Sequence, residues 1–330
     1  MTSPNDLIPV TVLTGFLGAG KSTLLRRVLS EAHGRKIAVI ENEFGEINID
    51  SEIIVSGGSE LILQMSNGCV CCTIRDDLLA TLWDLSERRS SGELDFEQVI
   101  IETTGLADPG PVAQTFFLDE KIASRYRPDA ILTLVDAKHG MQQLDTRCEA
   151  RRQVGFADRI FVSKADLVTP ADIDVLCDRL RLMNPRATQS FTPFGQVELT
   201  DVFDVGGFNL SSELGLATEQ TSSAAQHRQH HDDDVKSFVF RSDRPFNGIR
   251  FGQFMNAMIY SHGPKLLRYK GVLNIQGQSR KVILQGVHQL MSHDAGAPWD
   301  PGEVRVSKLV FIGMELPREM ILHTLRRCLV

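Results

Sequence analysis

Two short stretches of the chain carry side chains at spacings suited to chemistry. Gly15-Phe16-Leu17-Gly18-Ala19-Gly20-Lys21-Ser22, followed by Thr23, fits a phosphate-cradling loop: a glycine, four residues, then Gly-Lys-Ser. About fifty residues later, Cys69-Val70-Cys71-Cys72 packs three thiols into four positions. The first stretch suits a nucleoside triphosphate with Mg²⁺, and the second suits a soft divalent metal. Together they point to nucleotide chemistry coupled to the handling of a transition metal.

A phosphate loop needs a strand before it and a helix after it. Residues 8–13 are apolar and rich in β-branched side chains, which predicts a buried strand. Residues 23–29 carry a helical pattern. In that context the glycines turn successive N–H groups inward as an anion nest, and the helix N-terminus adds partial positive charge. Gly15, Gly18, Ala19, Gly20, Ser22 and Thr23 then surround the phosphates. Lys21 reaches the β- and γ-phosphates, and the Ser22 hydroxyl ligates Mg²⁺.

Three further strand ends carry polar groups. Residues 158–162 run into Ser163-Lys164-Ala165-Asp166. A carboxylate at Asp166 can accept from guanine N1–H and its exocyclic amine together; adenine would leave that carboxylate unpaired, which favours GTP over ATP. Lys164 can lay its stem along the base. Residues 99–101 end in Glu102, placed to hold Mg²⁺ or one of its waters, and Gly105 lets an N–H approach the γ-phosphate. Residues 37–40 run into Glu41-Asn42-Glu43-Phe44-Gly45-Glu46, where three carboxylates repel one another unless solvent or a cation relieves them.

The thiols admit more than one reading. A turn at Asn67-Gly68 can point Cys69 and Cys71 the same way, with Cys72 swinging in if a helix follows. Two or three thiolates suit Zn²⁺, and the missing second cysteine pair argues for an open, exchangeable site. Buried core thiols or a redox pair would use the same residues. The other cysteines, Cys148, Cys177 and Cys328, lie in helical patterns and read as packing residues. His262, His288, His293 and His323 are isolated and read as packing or surface groups.

Six cysteines in 330 residues, with no apolar N-terminal segment and no run able to span a bilayer, predict a reducing cytoplasm, no membrane and free thiols. The net charge of −7 and the lack of a basic, aromatic-interleaved run argue against nucleic-acid binding.

The elements that must position these groups predict two domains. Strands alternate with helices over residues 1–205, an α/β pattern of a doubly wound, mostly parallel sheet. Residues 206–234 are polar and end in His227-Arg228-Gln229-His230-His231-Asp232-Asp233-Asp234, a linker that mixes imidazole and carboxylate and either binds metal weakly or is a solvated connector. Residues 235–330 predict a smaller α+β domain with an antiparallel sheet. Its strands are expected at 235–240, 265–273, 281–288 and 306–312, and its helices at 248–260 and 317–328. That domain offers a surface for a client or for self-association as a homo-oligomer.

Taken in order, Gly-Phe-Leu-Gly-Ala-Gly-Lys-Ser-Thr, Glu-Asn-Glu-Phe-Gly-Glu, Cys-Val-Cys-Cys, Ile-Ile-Glu-Thr-Thr-Gly-Leu-Ala-Asp-Pro and Ser-Lys-Ala-Asp resemble the CobW family of P-loop GTPases, relatives of the hydrogenase and urease nickel-insertion GTPases. The resemblance implies a metallochaperone that hydrolyses GTP. In it Cys69, Cys71 and Cys72 are the metal thiols, Glu41 and Glu43 belong to a switch-like segment, Glu102 lies on the Mg²⁺ side, and Lys164 with Asp166 reads guanine. Zn²⁺ is the leading cargo, with Co²⁺ for cobalamin synthesis as the main rival and Ni²⁺ also open; a GTPase switch whose thiols are structural is the alternative, and the client metalloprotein is unspecified. Ser163 replaces the asparagine of many GTPases, leaving a single polar group to brace the loop.

Overall fold

The computed structural model describes residues 7–31, 34–42, 54–56, 60–65, 73–208 and 234–330. These form two compact units. The first is made of the described residues within Met1–Gln143, Ala157–Leu176 and Thr188–Gly207, and the second of those within Leu144–Phe156, Cys177–Ala187 and Phe208–Val330. The two units therefore interleave along the sequence.

In chain order the elements up to residue 192 are β1 (Ile8–Gly15), α1 (Lys21–Ser30), β2 (Ile37–Asn42), β3 (Ile54–Ser56), β4 (Glu60–Met65), α2 (Thr73–Ser90), β5 (Gln98–Glu102), α3 (Pro109–Leu118), α4 (Glu120–Ala123), β6 (Tyr126–Asp136), α5 (Gly140–Thr146), α6 (Cys148–Phe156), β7 (Arg159–Ser163), α7 (Pro170–Met183) and β8 (Thr188–Thr192). Among the described residues the strands form one sheet in the order β3-β4-β2-β5-β1-β6-β7-β8. All its pairs are parallel except β3–β4. This is the doubly wound α/β fold expected from the alternating pattern. The chain leaves β1 toward β2, returns beside β1 as β5, then builds outward on the other side from β6. Such a reversal opens a crevice at the carboxyl ends of the central strands.

The strands are near-continuous apolar runs because both faces of a parallel sheet are covered. Val99, Ile100 and Ile101 of β5 and Ala38, Val39 and Ile40 of β2 are all buried. In α1 the buried positions are Lys21, Leu24, Leu25 and Val28, one stripe at helical spacing. Its leucines pack with Ile37, Ile100, Leu132 and Phe161, each such side chain stabilising the fold by about 1.5–3 kcal/mol.

The second unit adds β9 (Val235–Ser242), α8 (Gly248–His262), β10 (Leu266–Leu273), β11 (Arg280–Val287), β12 (Leu290–Pro298), β13 (Ser307–Met314) and α9 (Arg318–Arg327). Its sheet runs β12-β11-β10-β13-β9 and is antiparallel throughout. Phe254, Met255 and Met258 of α8 and Ile321, Leu322 and Leu325 of α9 share a core with Tyr269, Leu273 and Phe311 of the sheet.

Strand β12 is absent from the pattern reading. Its sequence, Leu290-Met291-Ser292-His293-Asp294-Ala295-Gly296-Ala297-Pro298, lacks β-branched residues and carries Asp, Gly and Pro, which are depleted in strands. It is an edge strand held by its ladder to β11, joined through a turn in which His288 takes φ 51°. The Tyr269 hydroxyl donates to Leu290 O at 2.9 Å. A Cβ on Gly286 would lie 2.0 Å from Tyr269 Cζ, so the glycine makes room for that ring.

Helix α6 belongs to the second unit. A Cβ on its Gly155 would come within 2.6 Å of Leu267 Cδ1, and Arg268 donates from its guanidinium to Phe156 O at 3.0 Å. The three scattered cysteines are not alike. Cys328 is buried, Cys177 half-buried, and Cys148, at the start of α6, exposed, contrary to the packing role expected for it. No helix among the described residues is long and apolar enough to cross a membrane.

Candidate nucleotide and metal site

The loop after β1 has the geometry its glycines demand. Gly15 takes φ 141°, and a Cβ there would sit 2.4 Å from the Leu134 carbonyl oxygen on β6. Gly18 and Gly20 lie at φ 74° and 101°, the left-handed region that side chains disfavour. Gly20 is the N-cap of α1, so Lys21, Ser22 and Thr23 form its first turn. The Lys21 ammonium curls beneath the loop and donates to Gly15 O at 2.9 Å. Burial pushes its pKa down, and the negative charge of Glu102 partly opposes that shift.

Glu102 closes β5 beside this turn. The Ser22 hydroxyl donates to Glu102 Oε1 at 2.9 Å. Glu41 lies on β2, one position before its end, in register with Glu102. Register partners point to the same face of a sheet with strands about 4.8 Å apart, so Glu41 and Glu102 are neighbours on one face at the ends of adjacent strands. Gly105 lies where the loop after β5 meets the phosphate loop. A Cβ on it would be 2.6 Å from Leu17 N and 2.8 Å from Leu17 Cα.

The loop after β7 is tied to the same place. The Ser163 hydroxyl donates to Ala19 O at 2.7 Å. Lys164 takes φ 54°, and its ammonium donates to Gly18 O and to Asp136 Oδ2, each at 2.7 Å. Asp166 follows in the short turn Ala165–Leu167 and is exposed.

Asp136, at the end of β6, stands among these groups although no sequence motif marks it. Its Oδ1 accepts from the N–H groups of Lys138 and His139, and its Oδ2 lies 3.1 Å from His139 Nδ1. Burial alone would raise its carboxyl; the hydrogen bond from Lys164, then those from His139 and Lys138, more than offset this and hold it below the usual carboxylate range. The available signal was an apolar run, residues 130–135, ending in an acid, the same form that singled out Glu102.

Among the described residues, Gly15, Gly18, Ala19, Gly20, Lys21, Ser22, Glu41, Glu102, Gly105, Ser163 and Lys164 thus gather at the carboxyl ends of adjacent strands, with Thr23 on the first turn of α1. Glu43, Cys69, Cys71 and Cys72 lie outside the described residues, as does the run 227–233. Asp234, which ends that run, pairs with Arg151 at 2.6 Å. Among the described residues no group of three or more His, Cys, Asp or Glu side chains could hold a metal ion.

Residues 9–191 match the model of the CobW/HypB/UreG nucleotide-binding domain, and residues 235–329 match that of the cobalamin synthesis protein cobW C-terminal domain. The zinc chaperone YjiA of Escherichia coli is 40% identical over 314 residues, covering 95% of this chain and 96% of the relative. The zinc chaperone CobW of Pseudomonas aeruginosa is 33% identical over 356 residues, covering 98% and 92%. The crystal structure of Zn(II)-bound YjiA GTPase from E. coli is similar, with a TM-score of 0.78 at 37% identity, covering 98% of this chain and 99% of that one.

Proposed function

This chain belongs to the CobW/HypB/UreG family, and we propose that it is a GTP-hydrolysing metallochaperone that carries a divalent transition metal, zinc foremost, to a client protein. The observation that carries the reading is the contact between Ser22 and Glu102. It sets a P-loop hydroxyl 2.9 Å from a strand-end carboxylate, with Glu41 in register and Lys21 under the loop. The 40% identity to a zinc chaperone over 95% of the chain supports zinc as cargo.

Ser22 and Glu102 are hard oxygen donors and fit Mg²⁺. Ser22 and Glu102 would hold that ion, which would supply positive charge against the phosphates as the γ-phosphoryl group leaves. The rest of the work falls to the chain. The N–H groups of Gly18, Gly20, Ser22 and Thr23 hold the phosphates, the Ala19 N–H instead closing the loop by donating to Phe16 O at 3.1 Å, and the Gly105 N–H approaches the γ-phosphate. The Lys21 ammonium moves from Gly15 O to the β- and γ-phosphates, exchanging a carbonyl dipole for full negative charge. Ser163 and Lys164 brace the base loop while Asp166 reads guanine.

Cys69, Cys71 and Cys72 take the cargo metal as thiolates, so binding releases protons and responds to nearby charge. Glu41 lies on the strand that leads into Glu43 and the segment beyond it. Filling the γ-phosphate site changes the field on that strand, and hydrolysis reverses the change. Nucleotide tunes metal affinity only through such a difference between states.

A chelator-competition titration of Zn²⁺ tests the reading. It is run with Mg²⁺ and a non-hydrolysable GTP analogue, with Mg²⁺-GDP, and without nucleotide, beside a Cys71→Ala/Cys72→Ala variant. The expected result is at least about tenfold tighter zinc binding with the analogue, lost in the variant. Equal affinity in all three states would overturn the chaperone reading and leave a GTPase whose thiols serve another purpose. Co²⁺ and Ni²⁺ titrations then rank the cargo.

A further inference from the structure

Strand β8 is the edge neighbour of β7, and Thr192, its last residue, is in register with Ser163. The loop after β8 therefore starts beside the base-reading loop. It turns at once through Pro193–Gly195, a short 3-10 turn that packs on β7 and on α1. Gly195, at φ 78°, presses on the first turn of α1: a Cβ there would lie 3.1 Å from Thr23 O and 3.2 Å from Leu24 N. The turn is thus fixed against the helix that opens the phosphate site.

Between these anchors, Phe194 takes φ 52° and leaves 79% of its surface exposed. Either feature alone is unremarkable for a loop residue. Together they are two costs at one position, since a phenylalanine in the left-handed region is strained and its ring is given to solvent. Among the described residues the non-glycine positions with positive φ are Lys164, Phe194, Asp204, His288 and Glu315. Two of these, Lys164 and Phe194, stand on the loops that follow adjacent strand ends. Lys164 is held there by Gly18 and Asp136, so the first of the two strained residues is locked to the phosphate loop.

We propose that Phe194 is the stacking wall of the base pocket, its ring lying against one face of guanine while the Lys164 stem covers the other. The inference rests on the guanine-nucleotide reading above and assigns it a residue that the sequence motifs do not contain. Stacking on an aromatic ring is tolerant of base identity, whereas hydrogen bonding to the base edge is not. Phe194 therefore sets affinity for any purine nucleotide, and Asp166 sets the choice among them.

The test is calorimetric titration of the whole chain with GDP, IDP, ADP and inorganic triphosphate. Phe194→Ala should weaken GDP and IDP binding equally, by about tenfold or more, and leave inorganic triphosphate unchanged. Phe194→Trp should restore binding. Phe194→Gly should raise the thermal midpoint of the nucleotide-free protein, because glycine relieves the strained backbone, while still weakening GDP binding. Phe191→Ala, on β8 itself, should change neither. Wild-type affinity for GDP in Phe194→Ala, or an equal loss of triphosphate binding, would overturn the stacking assignment. Equal affinity of the wild-type chain for GDP and ADP would instead refute the guanine reading on which it rests.

Discussion

The Ser163 hydroxyl donates to the carbonyl oxygen of Ala19 at 2.7 Å, from the end of one strand into the glycine loop that follows another. Both groups are buried. The loop after β7 is thereby tied directly to the phosphate loop. A serine suffices for the brace because its single hydroxyl already reaches the phosphate loop.

Ser163→Ala should loosen that tie without unfolding the protein. Losing a buried hydrogen bond costs roughly 0.5–1.5 kcal/mol and leaves the Ala19 carbonyl without that donor. GDP affinity is expected to fall several-fold, with dissociation accelerated more than association, read by stopped-flow with a fluorescent GDP. Unchanged dissociation would mean that the loops are coupled by other contacts.

Asp136→Asn removes the anion that orders Lys164. The expected cost is about 1–3 kcal/mol for a hydrogen-bonded charge, together with weaker guanine selectivity. The native carboxyl is held below its ordinary value of 3.8. Its contribution to stability is therefore complete above about pH 4 and is lost as pH falls through the lower folded value. Denaturant unfolding between pH 2 and 6 should show a shallower acid slope in Asp136→Asn than in the wild type. Parallel curves would refute the assignment.

Gly105→Ala tests how closely the loop after β5 approaches the phosphate loop. The added methyl would sit 2.6 Å from Leu17 N, a backbone atom with no easy escape. Displacing the phosphate loop by a fraction of an ångström should lower kcat for GTP about a hundredfold. Phosphate-release kinetics at saturating GTP give the answer, and a kcat within threefold of wild type would be inconsistent with the contact.

Lys21→Met separates stability from catalysis. The ammonium is buried, and burial lowers its pKa more than Glu102 raises it, so the charge opposes folding; replacing it with an apolar side chain of similar length should leave the nucleotide-free protein as stable or more so. The same variant should lose about a hundredfold or more in kcat/KM for GTP, as one charge-stabilising donor is removed. Calorimetric melting and steady-state turnover read the two effects independently. A variant that melts early and hydrolyses normally would invert the reading.

Local sequence determined the elements whose formation depends on local pattern. The spacing Gly15, Gly18, Gly20, Lys21 and Ser22 specifies backbone conformations that only glycine adopts without strain, followed by a helix start. Apolar runs of Val and Ile identified β1, β2, β5 and β7, and the acids at their ends identified Glu41 and Glu102. Because the thiols of Cys69, Cys71 and Cys72 lie outside the described residues, their chemistry is carried by residue type and spacing alone.

Tertiary structure decided what depends on neighbours distant in sequence. Edge strand β12 has a composition that disfavours strands, and only its ladder to β11 makes it one. Helix α6 joins the second unit because Gly155 admits the Leu267 side chain, a fit between residues 112 positions apart. Asp136 and Lys164 meet because β6 and β7 pair in parallel with Asp136 opposite Ser163, and no local pattern encodes that register. Glu102 was legible as an acid at a strand end, but its hydrogen bond to Ser22, 80 residues away, exists only once β5 lies beside β1. Spacing along the chain prescribes which groups can do chemistry; the parallel sheet, by aligning the ends of its strands, decides which of them do it together.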